Sequence, residues 1–118
     1  MATYYNFSSL VTSIEAYLER AGYAVQRARN GIEAVASAFD VDLILMDLEM
    51  PDMDGVAATR AIRRAELAHG AQATPVLALT AHALQEYRDQ ALAAGCDGYI
   101  AKPVRMQALL DAVAGALR

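Results

Sequence analysis

The chain has 118 residues, a formal net charge of −4, a pI near 5.0 and one cysteine, Cys96. That length suits a single domain with a real hydrophobic core, and the acidic balance argues against a nucleic-acid backbone as direct partner. A lone cysteine excludes an internal disulfide and fits a reducing, cytoplasmic setting, and neither a signal peptide nor an apolar run near the ~20 residues of a membrane helix is present.

In chain order, "MATYY" is a thin first strand, short of the Val, Ile and Leu expected of a central one. Leu10, Ile14, Tyr17, Leu18 and Ala21 recur at helical spacing, and Gly22 ends that helix. Tyr23 to Ala28 alternates weakly, with Gln26 and Arg27, as an exposed edge strand does. Asn30 with Glu33 resembles a capping box opening a helix through Phe39. Leu43 to Met46 reads as a strand buried on both faces, and it stops at Asp47. An acidic loop with Glu49, Asp52 and Asp54 follows, then a helix from Gly55 to Ala68 capped by Asp54. "ATPVLALTA" gives a fourth strand with Pro75 at its start, where a missing N–H is tolerated. Ala83 to Ala94 is helical and ends at Gly95, near Cys96, which reads as an ordinary small residue. Tyr99 to Ala101 is a brief strand. After Pro103 a last helix puts Met106, Leu109, Leu110, Val113 and Leu117 on one face. The whole of 1–118 is expected to form one domain, with no output domain.

A β-α unit repeated five times implies a parallel sheet with helices on both faces. Short connections and size suit a flavodoxin-like, doubly wound α/β fold, a five-stranded parallel sheet of order 2-1-3-4-5. In such sheets, sites gather at the carboxyl ends of the strands, near the switch point beside strand one. Asp47 ends strand three, Thr80 ends strand four, and Lys102, the one lysine beside nine arginines, ends strand five. A carboxylate, a hydroxyl and an ammonium on one edge make an acceptor site for a phosphoryl group. Asp47 would attack phosphorus, and Thr80 and Lys102 would hold the phosphate oxygens. The same residues equally describe an Asp47–Lys102 ion pair with Thr80 as a strand-end hydroxyl.

"LILMDLEMPDMDG", "LALTA" and "GYIAKP", in that order and spacing, resemble the receiver domains of bacterial two-component response regulators. The resemblance extends to "AYLERAGY" and "RNGIEAV", and "MDLEMPDMDG" looks like receivers attached to hybrid histidine kinases. It implies a CheY-like phosphorelay module that takes a phosphoryl group from a histidine kinase or phosphotransfer protein, with Mg²⁺ present. By position, Asp47 looks like the phosphoacceptor, Thr80 the switching hydroxyl, Lys102 the family's lysine and Tyr99 the switch aromatic. Pro51 and Gly55 match the loop after the acceptor. Metal ligands carried over on the same basis are Asp47, Asn6 and the backbone carbonyl of Glu49. Glu49 and His82 would flank the mouth and tune phosphoryl lifetime, or serve only as exposed loop residues. The fourth and fifth helices with the last strand form the implied partner face, and a candidate homodimer surface. His69 reads as a surface residue, Met46, Met50 and Met53 as packing and loop contacts, and Asp52 and Asp54 as loop caps.

The chain departs from the family at one place. Counting back from "AYLERAGY", the acidic pair that holds Mg²⁺ falls on Tyr5 and Asn6, neither of them acidic. Magnesium is usually held through carboxylates, so its binding is expected to be weak or absent and Mg²⁺-dependent phosphorylation impaired. Asn6 could offer a neutral oxygen or act as a helix N-cap. The residues also allow a degenerate receiver working through contacts alone, or an amino-terminal segment that is altered or truncated rather than natural. An aspartate-nucleophile phosphatase is a remoter alternative, since Glu49 lacks the spacing of a second catalytic carboxylate; enzymatic turnover is not expected. A flavin site finds no support beyond Ser8 and Ser9.

Overall fold

The computed structural model describes residues 2–5, 11–28, 41–48, 55–80, 84–101 and 104–117; for 2–5, 11–13, 26–28 and 47 it describes the backbone alone. The strands are β1 (Ala2–Tyr5), β2 (Val25–Ala28), β3 (Leu43–Asp47), β4 (Val76–Thr80) and β5 (Gly98–Ala101). They pair in parallel in the order β2-β1-β3-β4-β5. The described helices are α1 (Val11–Arg20), α2 (Gly55–His69), α3 (Gln85–Ala94) and α4 (Met106–Ala116). The helix expected from Asn30 to Phe39 lies outside the described residues. Among the described residues, no helix is long and apolar enough to cross a membrane.

Alternation along β3 and β4 divides the core in two. Leu43, Leu45, Leu77 and Leu79 pack with Ile14 and Leu18 of α1 and with Leu109 and Val113 of α4. Ile44, Met46, Val76 and Ala78 pack on the other face, with Ala58 and Ile62 of α2, Ala91 of α3, Val41 and Cys96. A parallel sheet covered on both faces needs apolar side chains at every strand position, which is why "LILM" and "VLAL" show no alternation in sequence. Each fully buried Leu or Ile contributes roughly 1.5–3 kcal/mol. The thin strand β1 is nonetheless central, between β2 and β3.

Some expected boundaries and faces shift. Tyr17 stays 37% exposed and Ala21 is exposed, so the buried stripe of α1 is narrower than the spacing suggested, with Ile14 and Leu18 at its centre. Leu117 is the C-cap of α4, past its last turn, and is 37% exposed. Helix α3 starts at Gln85 rather than Ala83, because Leu84 is extended (φ −71, ψ 145). Helix α2 runs one residue further than expected, to His69.

Gly95 has φ 113, and the Cys96 N–H reaches Ala91 O at 3.1 Å while its own N–H reaches Leu92 O at 3.1 Å. This pairing satisfies the last carbonyls of α3 and requires the left-handed conformation that glycine adopts without cost. A side chain there would also collide with Arg63, whose Cγ lies 2.8 Å from an ideal Cβ.

Arg63 joins four segments at the amino-terminal edge of the sheet. Its Nη1 donates to Glu66 Oε1 and to Thr74 O, both at 2.8 Å. Its Nη2 donates to Gly95 O at 2.8 Å and to Asp97 Oδ2 at 3.0 Å. Glu66 is buried, and its other oxygen accepts the Thr74 N–H at 2.7 Å. Asp97 Oδ2 also accepts the Val76 N–H at 2.8 Å. Removing Arg63 would strand the buried Glu66 carboxylate, and breaking such a pair costs several kcal/mol. Arg63→Ala should therefore lower unfolding free energy by about 3 kcal/mol in urea titration; a loss under about 0.5 kcal/mol, the scale of an ordinary surface change, would contradict the clasp.

Candidate functional site

Parallel pairing puts every strand's carboxyl end on one edge. Tyr5 is opposite Met46, Asp47 opposite Leu79, Ala78 opposite Tyr99 and Thr80 opposite Ala101. Asp47 therefore closes β3 beside the end of β4, where Thr80 lies one residue further out. Tyr5 closes β1 beside β3, one residue behind Asp47. Lys102 directly follows β5 and Asn6 directly follows β1 in sequence. With Glu49, His82, Met50, Pro51, Asp52, Met53 and Asp54, these two lie outside the described residues, as does the expected Asp47–Lys102 pair.

The backbone around Asp47 is fixed on both sides. The Leu48 N–H donates to Leu79 O at 2.9 Å, extending the β3–β4 ladder one residue past Asp47. The Gly55 N–H donates to Leu48 O at 3.1 Å, so the acidic loop leaves and re-enters at a hydrogen-bonded pair. The acceptor strand thus ends at a set position relative to the start of α2.

Thr80 is 1% exposed and ends the row Val76–Ala78–Thr80, which faces α2 and α3. Tyr99 is half-buried on the same face and packs against that cluster. Thr80 and Tyr99 are diagonal neighbours on adjacent strands. The Arg88 guanidinium of α3 lies over the Tyr99 ring, 5.7 Å from its centroid. Sequence reasoning missed Arg88, and local spacing holds no signal for it, because the contact joins a helix to the following strand.

His69 is exposed, with Nδ1 2.9 Å from Ala65 O. Met46 is wholly buried in the core. Among the described residues, no group of three His, Cys, Asp or Glu could hold a metal ion. Cys96 is buried, its Sγ 3.7 Å from Thr59 Oγ1. Thr59 gives its proton to Gly55 O at 2.7 Å, so the thiol is the donor in that contact.

Burial pushes the Cys96 thiol up, against the smaller opposing pull of the Arg63 charge. The neutral thiol is inert as a nucleophile. Because the folded thiol titrates above its unfolded value, its contribution to stability is intact below about pH 8.5 and is lost as pH rises through the folded value. Native protein should react with a disulfide reagent more than about 100-fold slower than unfolded protein. Cys96→Val should remove the part of the alkaline stability loss due to this group. Fast labelling of the native thiol would contradict this placement.

A doubly wound parallel sheet with a carboxylate and a buried hydroxyl ending the neighbouring strands β3 and β4 defines a flavodoxin-like α/β domain. Residues 7–114 match the response regulator receiver domain, and the chain belongs to that family of two-component signalling proteins. The match begins after β1 and Asn6. The chain is 43% identical over 103 residues to the transcriptional regulatory protein ResD of Bacillus subtilis, covering 80% of this chain and 40% of that one. It is 43% identical over 98 residues to the signal transduction histidine-protein kinase BarA of Escherichia coli, covering 81% of this chain and 10% of that one. It thus spans well under half the length of these relatives. Among solved structures, the receiver domain of the sensor histidine kinase PA1611 of Pseudomonas aeruginosa superposes with a TM-score of 0.83 at 38% identity, covering 98% of this chain and 96% of that one. That receiver holds a magnesium ion in its active-site cleft.

Proposed function

We propose that this domain accepts a phosphoryl group on Asp47 from a histidine kinase or a histidine phosphotransfer protein, with little help from magnesium. The observation that carries this is the juxtaposition of Asp47 and Thr80 at the ends of paired strands, with a non-acidic residue ending β1 beside them. The flavodoxin-like arrangement, order 2-1-3-4-5 with helices on both faces, makes that edge the place for chemistry. A carboxylate oxygen of Asp47 attacks phosphorus, the donor's N–P bond breaks, and the electron pair stays on the imidazole, which then takes up a proton. Thr80 donates a hydrogen bond to a phosphate oxygen, and Lys102 offsets the incoming charge as a point cation. Tyr99, on the face shared with Thr80, transmits the change to the surface of α3, β5 and α4. That surface is the proposed partner face and a candidate homodimer contact. Glu49 and His82 are proposed only as residues that tune phosphoryl lifetime.

The donor set does not fit a tightly held magnesium ion. Counted back along the sequence, the family's acidic pair falls on Tyr5 and Asn6, so of the proposed ligands only Asp47 carries charge. Asn6 and the Glu49 carbonyl could add neutral oxygens, too few for an ion that prefers several hard ligands. The loss of two charged ligands should weaken binding by at least roughly 10–100-fold. A receiver acting by contacts alone is the second reading, favoured by the same β1 terminus. The domain is proposed to act in the cytoplasm, beside its kinase, and to turn over no substrate; a chromogenic phosphate ester should not be hydrolysed above background.

Acetyl phosphate labelling across a magnesium series tests the assignment. The parent should label weakly, and Tyr5→Asp with Asn6→Asp should gain labelling by about 10-fold or more. Full labelling of the parent at millimolar magnesium would retire the impaired state. Labelling that survives Asp47→Asn would remove the acceptor.

A further inference from the structure

Thr59 is fully buried in the second turn of α2, on the face turned to the sheet. Its neighbours on that face, Ala58 and Ile62, belong to the apolar cluster with Ile44, Met46 and Val76. A hydroxyl in such surroundings costs free energy unless it is hydrogen-bonded. Here both of its capacities are used: it donates to Gly55 O at 2.7 Å and accepts from Cys96 Sγ at 3.7 Å. Valine has the same branched shape, so packing alone does not call for the oxygen.

Threonine inside a helix often bonds back to the carbonyl four residues earlier. What sets Thr59 apart is the residue that it holds. In an α-helix a carbonyl accepts the N–H four residues on and keeps a second lone pair; at Gly55 the Thr59 hydroxyl fills it. The Gly55 N–H, a first-turn donor with no partner inside the helix, donates to Leu48 O at 3.1 Å. The Leu48 N–H donates to Leu79 O at 2.9 Å. Both peptide groups of Leu48, the residue after Asp47, are thereby held, one by β4 and one by α2. The hold from β4 belongs to the sheet, while the hold from α2 depends on where that helix's first turn sits. A helix that opens on glycine and valine is weak there by propensity, and the hydroxyl bond stiffens it.

We propose that Thr59 is a positioning residue for Asp47: its buried hydroxyl fixes the first turn of α2, and the Gly55–Leu48 hydrogen bond carries that position to the end of β3. Cys96 completes the hold, because its thiol proton occupies one lone pair of Thr59 and leaves the hydroxyl proton directed at Gly55 O. Reacting groups must be kept close to their attack geometry, so a looser backbone beside the acceptor slows transfer. That consequence rests on the receiver role proposed above; the hydrogen-bonded path does not.

Two substitutions separate the hydroxyl from the shape. Thr59→Val keeps the branched side chain and the helix propensity and loses the hydroxyl; Thr59→Ser keeps the hydroxyl and loses a methyl. In amide spectra of the full chain, the Gly55 and Leu48 protons should move upfield in Thr59→Val and stay near parent values in Thr59→Ser. The initial rate of acetyl phosphate labelling should fall roughly five-fold in Thr59→Val, the scale of one neutral hydrogen bond, and stay within about two-fold of the parent in Thr59→Ser. A residue that only packs gives the reverse order, with Thr59→Ser the more disturbed. Unmoved amides in Thr59→Val, shifts as large in Thr59→Ser, or equal labelling of all three proteins overturns the proposal. A parent that does not label at all strikes the receiver role instead, and the amide shifts then decide the positioning alone.

Discussion

Parallel pairing of β3 with its two neighbours governs what this domain can do. The ladder places Tyr5 beside Met46 and Asp47 beside Leu79, so the residues that end three separate strands meet on one edge whatever their distance in sequence. Hydrogen bonding alone would leave the register free to slip. The apolar rows fix it, because shifting β3 by one residue would exchange Leu43 and Leu45 for Ile44 and Met46 against α1 and α4. Core packing and site geometry are thus one constraint seen from two directions.

The two edges of the sheet divide the work. At the amino edge, Arg63, Glu66 and Asp97 bind α2, the entry to β4, the end of α3 and the entry to β5 into one charged, hydrogen-bonded clasp. At the carboxyl edge, polar residues close apolar strands.

Much of this was legible in the sequence. Buried strands announced themselves as unbroken apolar runs ending at Asp47 and Thr80, and Gly22 and Gly95 marked helix ends through the conformation they allow. Parallel topology then gave the shared edge without knowledge of any contact. What could not be read depends on neighbours far along the chain. Arg63 carries no local signal of its role, because nothing near it in sequence says that Thr74, Gly95 and Asp97 surround it. Arg88 and Tyr99 are on different elements, and their stacking is a tertiary fact. β1 was under-weighted because "ATYY" lacks apolar density, although its two partners hold it at the centre of the sheet. Tyr17 and Leu117 were over-weighted for a related reason, since spacing gives a stripe but not its width.

The end of β1 is where this chain departs from the family to which it belongs. Magnesium ordinarily offsets phosphoryl charge beside an acceptor carboxylate, and the proposed impairment rests on the sequence count that assigns that cation's charged ligands to Tyr5 and Asn6. A magnesium titration followed by amide chemical shifts at Asp47, Leu48 and Thr80 tests this most directly. The account predicts no saturation through several millimolar, with a midpoint at least about 10-fold above that of the Tyr5→Asp, Asn6→Asp protein. Saturation of those amides in the parent at submillimolar magnesium would contradict it.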